Sequence, residues 1–290
     1  MIKSNLYLGS GVAGSFKLQA SSRKLQAASC KLQASSQMLI TIFSVLLALF
    51  YVLYAGSAQS QALTAKEIVD KANKKASGET SQGSMKMTIV RPGWSREVTM
   101  KSWSKTTQYY LIYITAPAKD KGQVFLKRQN EMWNYMPSID RMIKIPPSMM
   151  SQSWMGSDFT NDDLVRMNSI VEDYDHAMVG SESVGGFDCY KIELIPKPEA
   201  AVVWGKINLW IAKNEFYEMK AEYFDEDGTL VSSMTSSDIR QMGDRSLPGK
   251  TVMVPADKPG NQTILEMIDV VFNKPIDDNF FSQQNMKNVK

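Results

Sequence analysis

Apolar and polar residues alternate in many short segments after about residue 80, and this two-residue period constrains the fold more than any other feature. Met85, Met87 and Ile89 alternate with polar residues, and Val98 and Met100 do so after a Pro-Gly turn. Such alternation is typical of β-strands with one apolar face. Further segments of this kind cover residues 109–115, 123–127, 131–135, 190–194, 207–211, 217–223, 230–240, 250–254 and 263–271.

These segments amount to about ten or eleven strands in meander order. Because no helical pattern separates consecutive strands, a parallel α/β fold is excluded. The sequence predicts a mainly β domain of the α+β kind, built on one curved antiparallel sheet or open barrel.

Short helices are expected beside the sheet. Thr64 and Glu67 have the spacing of a capping box and are followed by apolar residues at helical intervals, which predicts a helix over residues 64–75. Thr160 and the polar residues after it predict a second, short helix. Residues 145–156 include two adjacent prolines and show no regular period, so they predict a loop.

Residues 38–58 have the pattern of a signal peptide. A largely apolar, uncharged run over 39–54 is followed by Ala, Gly, Ser and Ala at 55–58, which favours cleavage after Ala58 or Ser60. An uncleaved membrane anchor is the alternative, since the run approaches the length that spans a bilayer. We therefore predict an exported domain over residues 59–290.

The first 37 residues repeat the sequence Lys-Leu-Gln-Ala every seven residues, starting at Lys17, Lys24 and Lys31. One leucine per heptad is too thin an apolar seam for a coiled coil. We interpret residues 1–37 as a low-complexity, heptad-like leader and Met38 as the true start of the protein.

Charge and composition exclude several function classes. Five of the 33 basic residues and none of the 30 acidic residues precede residue 59, so the domain is nearly neutral and gives no electrostatic case for nucleic-acid binding. His176 is the one histidine, and Cys189 is the one cysteine after the leader. This scarcity argues against a metal site of the usual zinc type and against a Ser-His-Asp triad.

Two pairs of carboxylates have structural explanations. Asp162 and Asp163 fall in the first turn of a helix, where the helix dipole favours acids. Asp225 and Asp227 fall in the hairpin turn that ends at Gly228. A carboxylate-based hydrolase is therefore the weakest of the functional hypotheses.

Methionine is abundant, with 17 of its 19 residues after residue 58. Its flexible, polarisable side chain suits adaptable apolar surfaces. Large apolar residues in the irregular loop need an apolar partner, which a loop that closes over an apolar cavity as a flap would supply. The predicted cavity walls are Met85, Met87, Ile89, Val98, Met100, Trp133 and Tyr135, and the predicted flap residues are Met149, Met150, Trp154 and Met155. A register slip of one residue would invert the walls.

An acyl chain is the ligand that such walls favour. At roughly 0.8 kcal/mol per buried methylene, a chain of about fourteen methylenes contributes on the order of 11 kcal/mol before the costs of association. This kind of site needs shape and apolar walls but little polar chemistry.

Several segments resemble the LolA-like outer-membrane lipoprotein-sorting proteins. These are the helix over 64–75, the stretches 133–137 and 144–146, the segment 156–164, and Phe280 with Phe281. The resemblance covers nearly all of residues 59–290, and 156–164 is its most specific part. The chain is more similar to the uncharacterised branch of that family than to the dedicated lipoprotein carrier.

The resemblance implies an unclosed half-barrel of about eleven antiparallel strands, covered by short helices around an apolar cavity. It also implies a periplasmic carrier for lipids or lipoprotein acyl chains, with an inner-membrane transporter and an outer-membrane acceptor as partners. A periplasmic adaptor or sensor for a membrane lipid transporter or a signalling protein is the alternative. The resemblance implies neither an enzyme activity nor a cofactor. The family's lid-latching arginine has no counterpart here that a motif identifies.

Overall fold

The sheet predicted from the alternating segments is present in a computed structural model, which describes residues 41, 43–45, 62–106, 108–129, 131–166, 169–200 and 202–290. Leu63–Lys290 form one compact unit. The predicted leader over 1–37 and signal peptide over 38–58 lie outside the described residues, apart from residues 41 and 43–45, which are helical. No helix among the described residues is long and apolar enough to cross a membrane.

Thirteen antiparallel strands form one unclosed sheet, which confirms the predicted mainly β half-barrel and adds two strands to the expected eleven. The strands are β1 (Thr80–Arg91), β2 (Trp94–Lys105), β3 (Tyr109–Ala116), β4 (Val124–Arg128), β5 (Glu131–Met136), β6 (Arg141–Ile145), β7 (Tyr174–Val184), β8 (Phe187–Pro196), β9 (Lys206–Ala212), β10 (Glu218–Phe224), β11 (Leu230–Met242), β12 (Arg245–Pro255) and β13 (Gln262–Phe272).

The strand order determines where the long connection of the chain runs. Across the sheet the order is β6-β5-β4-β3-β2-β1-β13-β12-β11-β10-β9-β8-β7, so β1 and β13 meet in the middle and β6 and β7 form the two edges. The connection from β6 to β7, residues 146–173, must therefore span the whole sheet. It contains the predicted loop and the helix α2 (Asn161–Arg166).

The first helix, α1 (Ala65–Ser77), forms as predicted and lies on one face of the sheet. Thr64 and Glu67 make both hydrogen bonds of a capping box, and Gly78 ends the helix. Ile68, Val69 and Ala72 are buried together with residues of β8, β9 and β10. We call this group the α1 cluster: Ala65, Ile68, Val69, Ala72, Val171, Tyr174, Ile192, Leu194, Trp204, Ile207, Leu209, Ile211 and Ala221.

A second apolar group lies on the same face, in the other half of the sheet. We call it the methionine cluster: Met87, Ile89, Val98, Met100, Ile112, Ile114, Phe125, Met132, Ile145 and Trp154. The two groups share a face because cross-strand partners point to the same side. The row Ile89, Thr263, Met253, Met234 and Ala221 joins them across five strands. We call this side of the sheet the inner face.

The opposite, outer face is covered in part by the C-terminal segment. A 3-10 helix (Asp278–Phe281) and the short helix α3 (Gln283–Met286) bring Phe281 and Met286 against strands β3, β4 and β5. Both side chains are fully buried there. The sheet is therefore buried on both sides at β4 and β5.

Candidate functional site

The predicted wall and flap residues of the first two strands and the loop come together on the inner face. Met87, Ile89, Val98 and Met100 are almost completely buried in the methionine cluster, and Met85 packs against it. Met149, Met150 and Met155 also pack against this cluster, and Trp154 is part of it. Nine of the eleven predicted residues thus form one apolar surface.

Trp133 and Tyr135 lie elsewhere. They belong to the outer-face group under the C-terminal segment, where Trp133 packs with Phe281 and Met286. Met132 is the β5 residue that contributes to the methionine cluster. Because successive strand residues point to opposite faces, the prediction selected the wrong alternate positions on this strand.

We call residues 146–160 the flap, and hydrogen bonds within the connection define its shape. The Trp154 amide donates to the Phe159 carbonyl at 2.8 Å, and a bridge joins Ser153 to Thr160. The Asn161 side-chain amide donates to the Met149 carbonyl at 2.9 Å. The flap begins with a 3-10 helix (Pro147–Met149) that the sequence did not predict, and these bonds satisfy backbone groups in the irregular part that follows, so the flap is a folded loop.

Trp154 is the point at which the flap enters the methionine cluster. Its side chain is only 3% exposed, and its indole ring meets the Phe125 ring edge-on with centroids 5.3 Å apart. Aromatic pairs favour this arrangement. The indole Nε1, however, is buried without a hydrogen-bond partner. Apolar packing alone therefore holds this ring.

Two arginines tie the flap to the centre of the sheet. Arg91 donates from Nη1 to the Asp158 carboxylate at 2.9 Å and from Nη2 to the Gly156 carbonyl at 2.8 Å. The Thr263 hydroxyl also donates to Asp158, at 2.7 Å. Arg96 pairs with Asp120 and reaches the Met155 carbonyl at 3.3 Å.

The polar contacts of Asp158 should keep the flap closed. Replacing Asp158 with asparagine removes the charge that Arg91 faces, and hydrogen bonds to charged groups contribute roughly 1.5–3 kcal/mol. We expect flap closure to weaken by about 2 kcal/mol, which hydrogen exchange should detect as about thirtyfold faster exchange of the amides of Trp154 and Ser157.

The matched control is Asp140→Asn, which removes an exposed ion pair with Lys287 at 2.7 Å. Exposed pairs contribute little, so flap exchange should not change in this variant. Equal exchange rates in the two variants would contradict the role of Asp158.

Polar side chains also line the inner face in the half that α1 covers. The Asp163 carboxylate accepts hydrogen bonds from Trp204 Nε1 at 3.0 Å and from the Thr160 amide at 2.7 Å. Burial raises the pKa of Asp163 in spite of these bonds. Asp163 thus links α2 to the α1 cluster, and its predicted place in the first turn of a short helix is confirmed.

Glu218 and Tyr223 of β10 were not predicted as site residues. Burial raises the pKa of Glu218 to about 7, and burial, with the neighbouring Glu218 carboxyl as the next cause, raises the pKa of Tyr223 well above its usual range. Both side chains nevertheless keep partial surface exposure.

The reactive residues of the sequence have local partners. His176 lies 2.9 Å from the Ile170 carbonyl, and burial lowers its pKa. The Cys189 thiol is buried, which raises its pKa. Among the described residues, no group of three or more histidine, cysteine, aspartate or glutamate side chains is placed to hold a metal ion.

Comparison with solved structures identifies the fold. The chain is similar to a DUF1329 family protein from Desulfovibrio piger (22% identity, 77% of this chain and 97% of that one, TM-score 0.71). It is also similar to a protein from Vibrio parahaemolyticus described as an outer membrane lipoprotein-sorting domain (23%, 77% and 98%, 0.69). It is similar as well to a LolA superfamily protein from Nitrosomonas europaea (24% identity, 77% of this chain and 100% of that one, TM-score 0.67).

These identities are below 25%, so the structures identify the fold, and the LolA-type fold expected from the sequence is confirmed. No curated protein matches the chain. A family model described as "Uncharacterized protein" matches residues 106–288, which is more than half of the chain. The chain therefore belongs to this family, and its domain has the fold of these three solved structures.

Proposed function

We propose that residues 59–290 act as a periplasmic carrier that binds the acyl chains of lipids or lipoproteins between the flap and the inner face of the sheet. The carrier would receive its cargo from an inner-membrane transporter and release it to an outer-membrane acceptor. The fold shared with lipoprotein-sorting domains supports this proposal.

The observation that carries the proposal is the path of the flap across the methionine cluster. A connection between opposite edges of a sheet could run around its rim, but this one places Trp154 and three methionines on an apolar surface. Its polar contacts with the sheet involve mainly Arg91 and Arg96. Few directional contacts over a large apolar area suit a cover that opens to admit an apolar chain.

The side chains of the surface fit this use. Methionine has three rotatable bonds, so a methionine-rich wall can rearrange around a flexible chain at little cost. Met85 and Leu265 are only partly buried against the cluster, and they are cross-strand neighbours of its central residues. An acyl chain along this row would bury the apolar area that remains exposed.

The test is to purify the domain without detergent, extract it with organic solvent and search the extract for lipid by mass spectrometry. Displacement of a fluorescent acyl probe provides a second readout. Co-purified lipid and saturable displacement are expected. Absence of both would refute the carrier, and recovery of a membrane transporter in stoichiometric amounts without bound lipid would support an adaptor instead.

A pair of lysine substitutions on β1 tests the location of the ligand. Met85→Lys places a charge on the inner face, whereas Thr88→Lys places it on the outer face, opposite Glu97. We expect only Met85→Lys to weaken probe binding, by at least tenfold, because a buried unpaired charge is costly. Both variants should fold, since neither position is fully buried.

A further inference from the structure

Three polar side chains without partners lie together on the inner face, away from the methionine cluster. Glu218 and Tyr223 of β10 make no hydrogen bond or ion pair within the described part of the chain, and the Ser232 hydroxyl of β11 is buried without a hydrogen-bond partner. Ser232 is only 4% exposed. A buried polar group left unpaired costs about 1–3 kcal/mol, so the position of the Ser232 hydroxyl needs an explanation.

The strand register brings the three groups to one place. Tyr223 and Ser232 are direct cross-strand partners, so their side chains stand side by side. Glu218 pairs with Ile211 of the α1 cluster, and a bulge between residues 218 and 220 returns Ala221 and Tyr223 to the same face. Ala221, which is completely buried in the α1 cluster, lies between Glu218 and Tyr223 on this face.

Aromatic rings border one side of the space around these three side chains. The Trp204 and Tyr223 rings have centroids 5.2 Å apart, and the Trp204 indole donates to Asp163. Trp204 therefore packs against the Tyr223 ring, while its indole nitrogen is already hydrogen-bonded to Asp163. The Tyr223 hydroxyl has no hydrogen-bond partner among the described residues.

The charges around this space select against an anionic ligand. Glu218 and Asp163 are the carboxyl groups that act on Tyr223, and burial alone accounts for the raised pKa of Glu218, so no cation offsets it. Lys71 of α1 lies over the Phe216 ring, 5.4 Å from its centroid, and forms no ion pair with Glu218. A phosphate here would face two carboxyl groups without a compensating cation.

We propose that Glu218, Tyr223 and Ser232 form a polar subsite that binds an uncharged, hydrogen-bonding group of the ligand, such as a hydroxyl, ester or amide, while its acyl chains lie along the apolar inner face. This subsite rests on the proposed carrier function and specifies the head group that the carrier accepts. The Tyr223 and Ser232 hydroxyls each donate and accept hydrogen bonds, as an uncharged head group requires.

The test compares two lipids that differ by one phosphate. The affinities of a monoacylglycerol and of the lysophosphatidic acid with the same chain are measured by displacement of an alkyl probe that has no polar head. The wild-type protein should prefer the monoacylglycerol at least tenfold. An N-acylated peptide amide is measured alongside, and binding of either uncharged ligand supports the subsite and shows which source is favoured.

Substitutions test whether the preference for the uncharged lipid arises at Tyr223 and Ser232. Tyr223→Phe and Ser232→Ala should each weaken monoacylglycerol binding by about three- to tenfold and leave binding of the alkyl probe unchanged. Ser233→Ala, one position further along β11 and on the outer face, is the control and should change neither. Ser232→Ala removes an unsatisfied group, so the unliganded protein should not lose stability, which separates lost binding from misfolding.

The outcomes distinguish this inference from the carrier proposal. If neither the probe nor any lipid binds the wild-type protein, the carrier proposal itself fails. If the probe binds but lysophosphatidic acid binds as well as monoacylglycerol, or the variants match the wild-type protein, the subsite is refuted and the carrier remains.

Discussion

Replacing Trp154 with alanine is expected to lower the free energy of unfolding by about 3–5 kcal/mol, the usual cost of removing a large buried aromatic side chain. The ring is 3% exposed, belongs to the methionine cluster and packs edge-on against Phe125. Because the indole nitrogen has no hydrogen-bond partner, the loss is one of packing, and no other polar atom is left unpaired. Urea denaturation followed by circular dichroism measures it.

The same substitution should also loosen the flap. Trp154 is the flap side chain that is most deeply inserted in the inner face, so its loss leaves the arginine contacts as the main attachment. A bound acyl probe should then dissociate at least ten times faster than from the wild-type protein.

Trp94→Ala is the matched control, because Trp94 lies on β2 with 53% of its surface exposed. Its removal should change the free energy of unfolding by less than about 1 kcal/mol. If Trp154→Ala were no more destabilising than Trp94→Ala, the packing of the flap on the sheet described above would be wrong.

The methionine cluster could be predicted on β1 and β2 because these strands alternate clearly between apolar and polar residues. Met87 and Ile89 face inward, while Lys86 and Thr88 between them remain partly exposed. In this situation the period of two gives the face directly. The flap was predicted from a different signal, large apolar residues in a segment rich in proline and serine that shows no regular period.

The same reasoning failed on β5 because that strand is buried on both faces. Met132 packs inward and Trp133 outward beneath Phe281, so both positions carry large apolar residues. The alternation of residue types then does not show which side chains of β5 point to the inner face. The C-terminal segment that covers Trp133 is distant in sequence, and no local pattern links the two.

The two strands missing from the sequence prediction are the edges of the sheet. Residues of β7 are mostly exposed after Tyr174, and four of the five residues of β6 are partly or fully exposed. A strand with little buried surface does not need an apolar face, so its sequence does not alternate between apolar and polar residues. Pairing with β8 and β5 places them in the sheet.

Glu218 was overlooked because a bulge inverts the alternation within β10. Tyr217, Met219, Ala221 and Tyr223 alternate as though they shared one face, yet Tyr217 and Met219 pack on the outer side and Ala221 on the inner side. The extra residue at the bulge turns Glu218 inward. Single-sequence alternation cannot reveal such an insertion.

This inward carboxyl should make the stability of the protein fall as pH rises from about 4.5 to 7. The pKa of Glu218 is raised from 4.5 to about 7 by burial, so in this range the native state binds a proton that the unfolded state has released. The stabilisation is complete below the unfolded pKa and is lost as pH rises through the folded pKa. The difference amounts to about 3 kcal/mol.

The groups near Glu218 should not mask this dependence. Tyr223 stays protonated throughout because its own pKa is raised. Asp163 titrates with a raised pKa as well, but it retains its hydrogen bonds and is present in every variant compared. The contribution of Glu218 is therefore read as a difference between proteins at each pH.

Urea denaturation of the wild-type protein and of Glu218→Gln at pH 5, 6, 7 and 8 makes the comparison. The two proteins should be similarly stable at pH 5, and Glu218→Gln should be more stable by about 3 kcal/mol at pH 8, because glutamine has no charge to bury. Glu222→Gln is the control, because Glu222 lies on the outer side of β10, where its Oε1 is 2.7 Å from Lys220 Nζ. A stability difference between wild type and Glu218→Gln that stays constant from pH 5 to pH 8 would show that this carboxyl is not held protonated by the inner face.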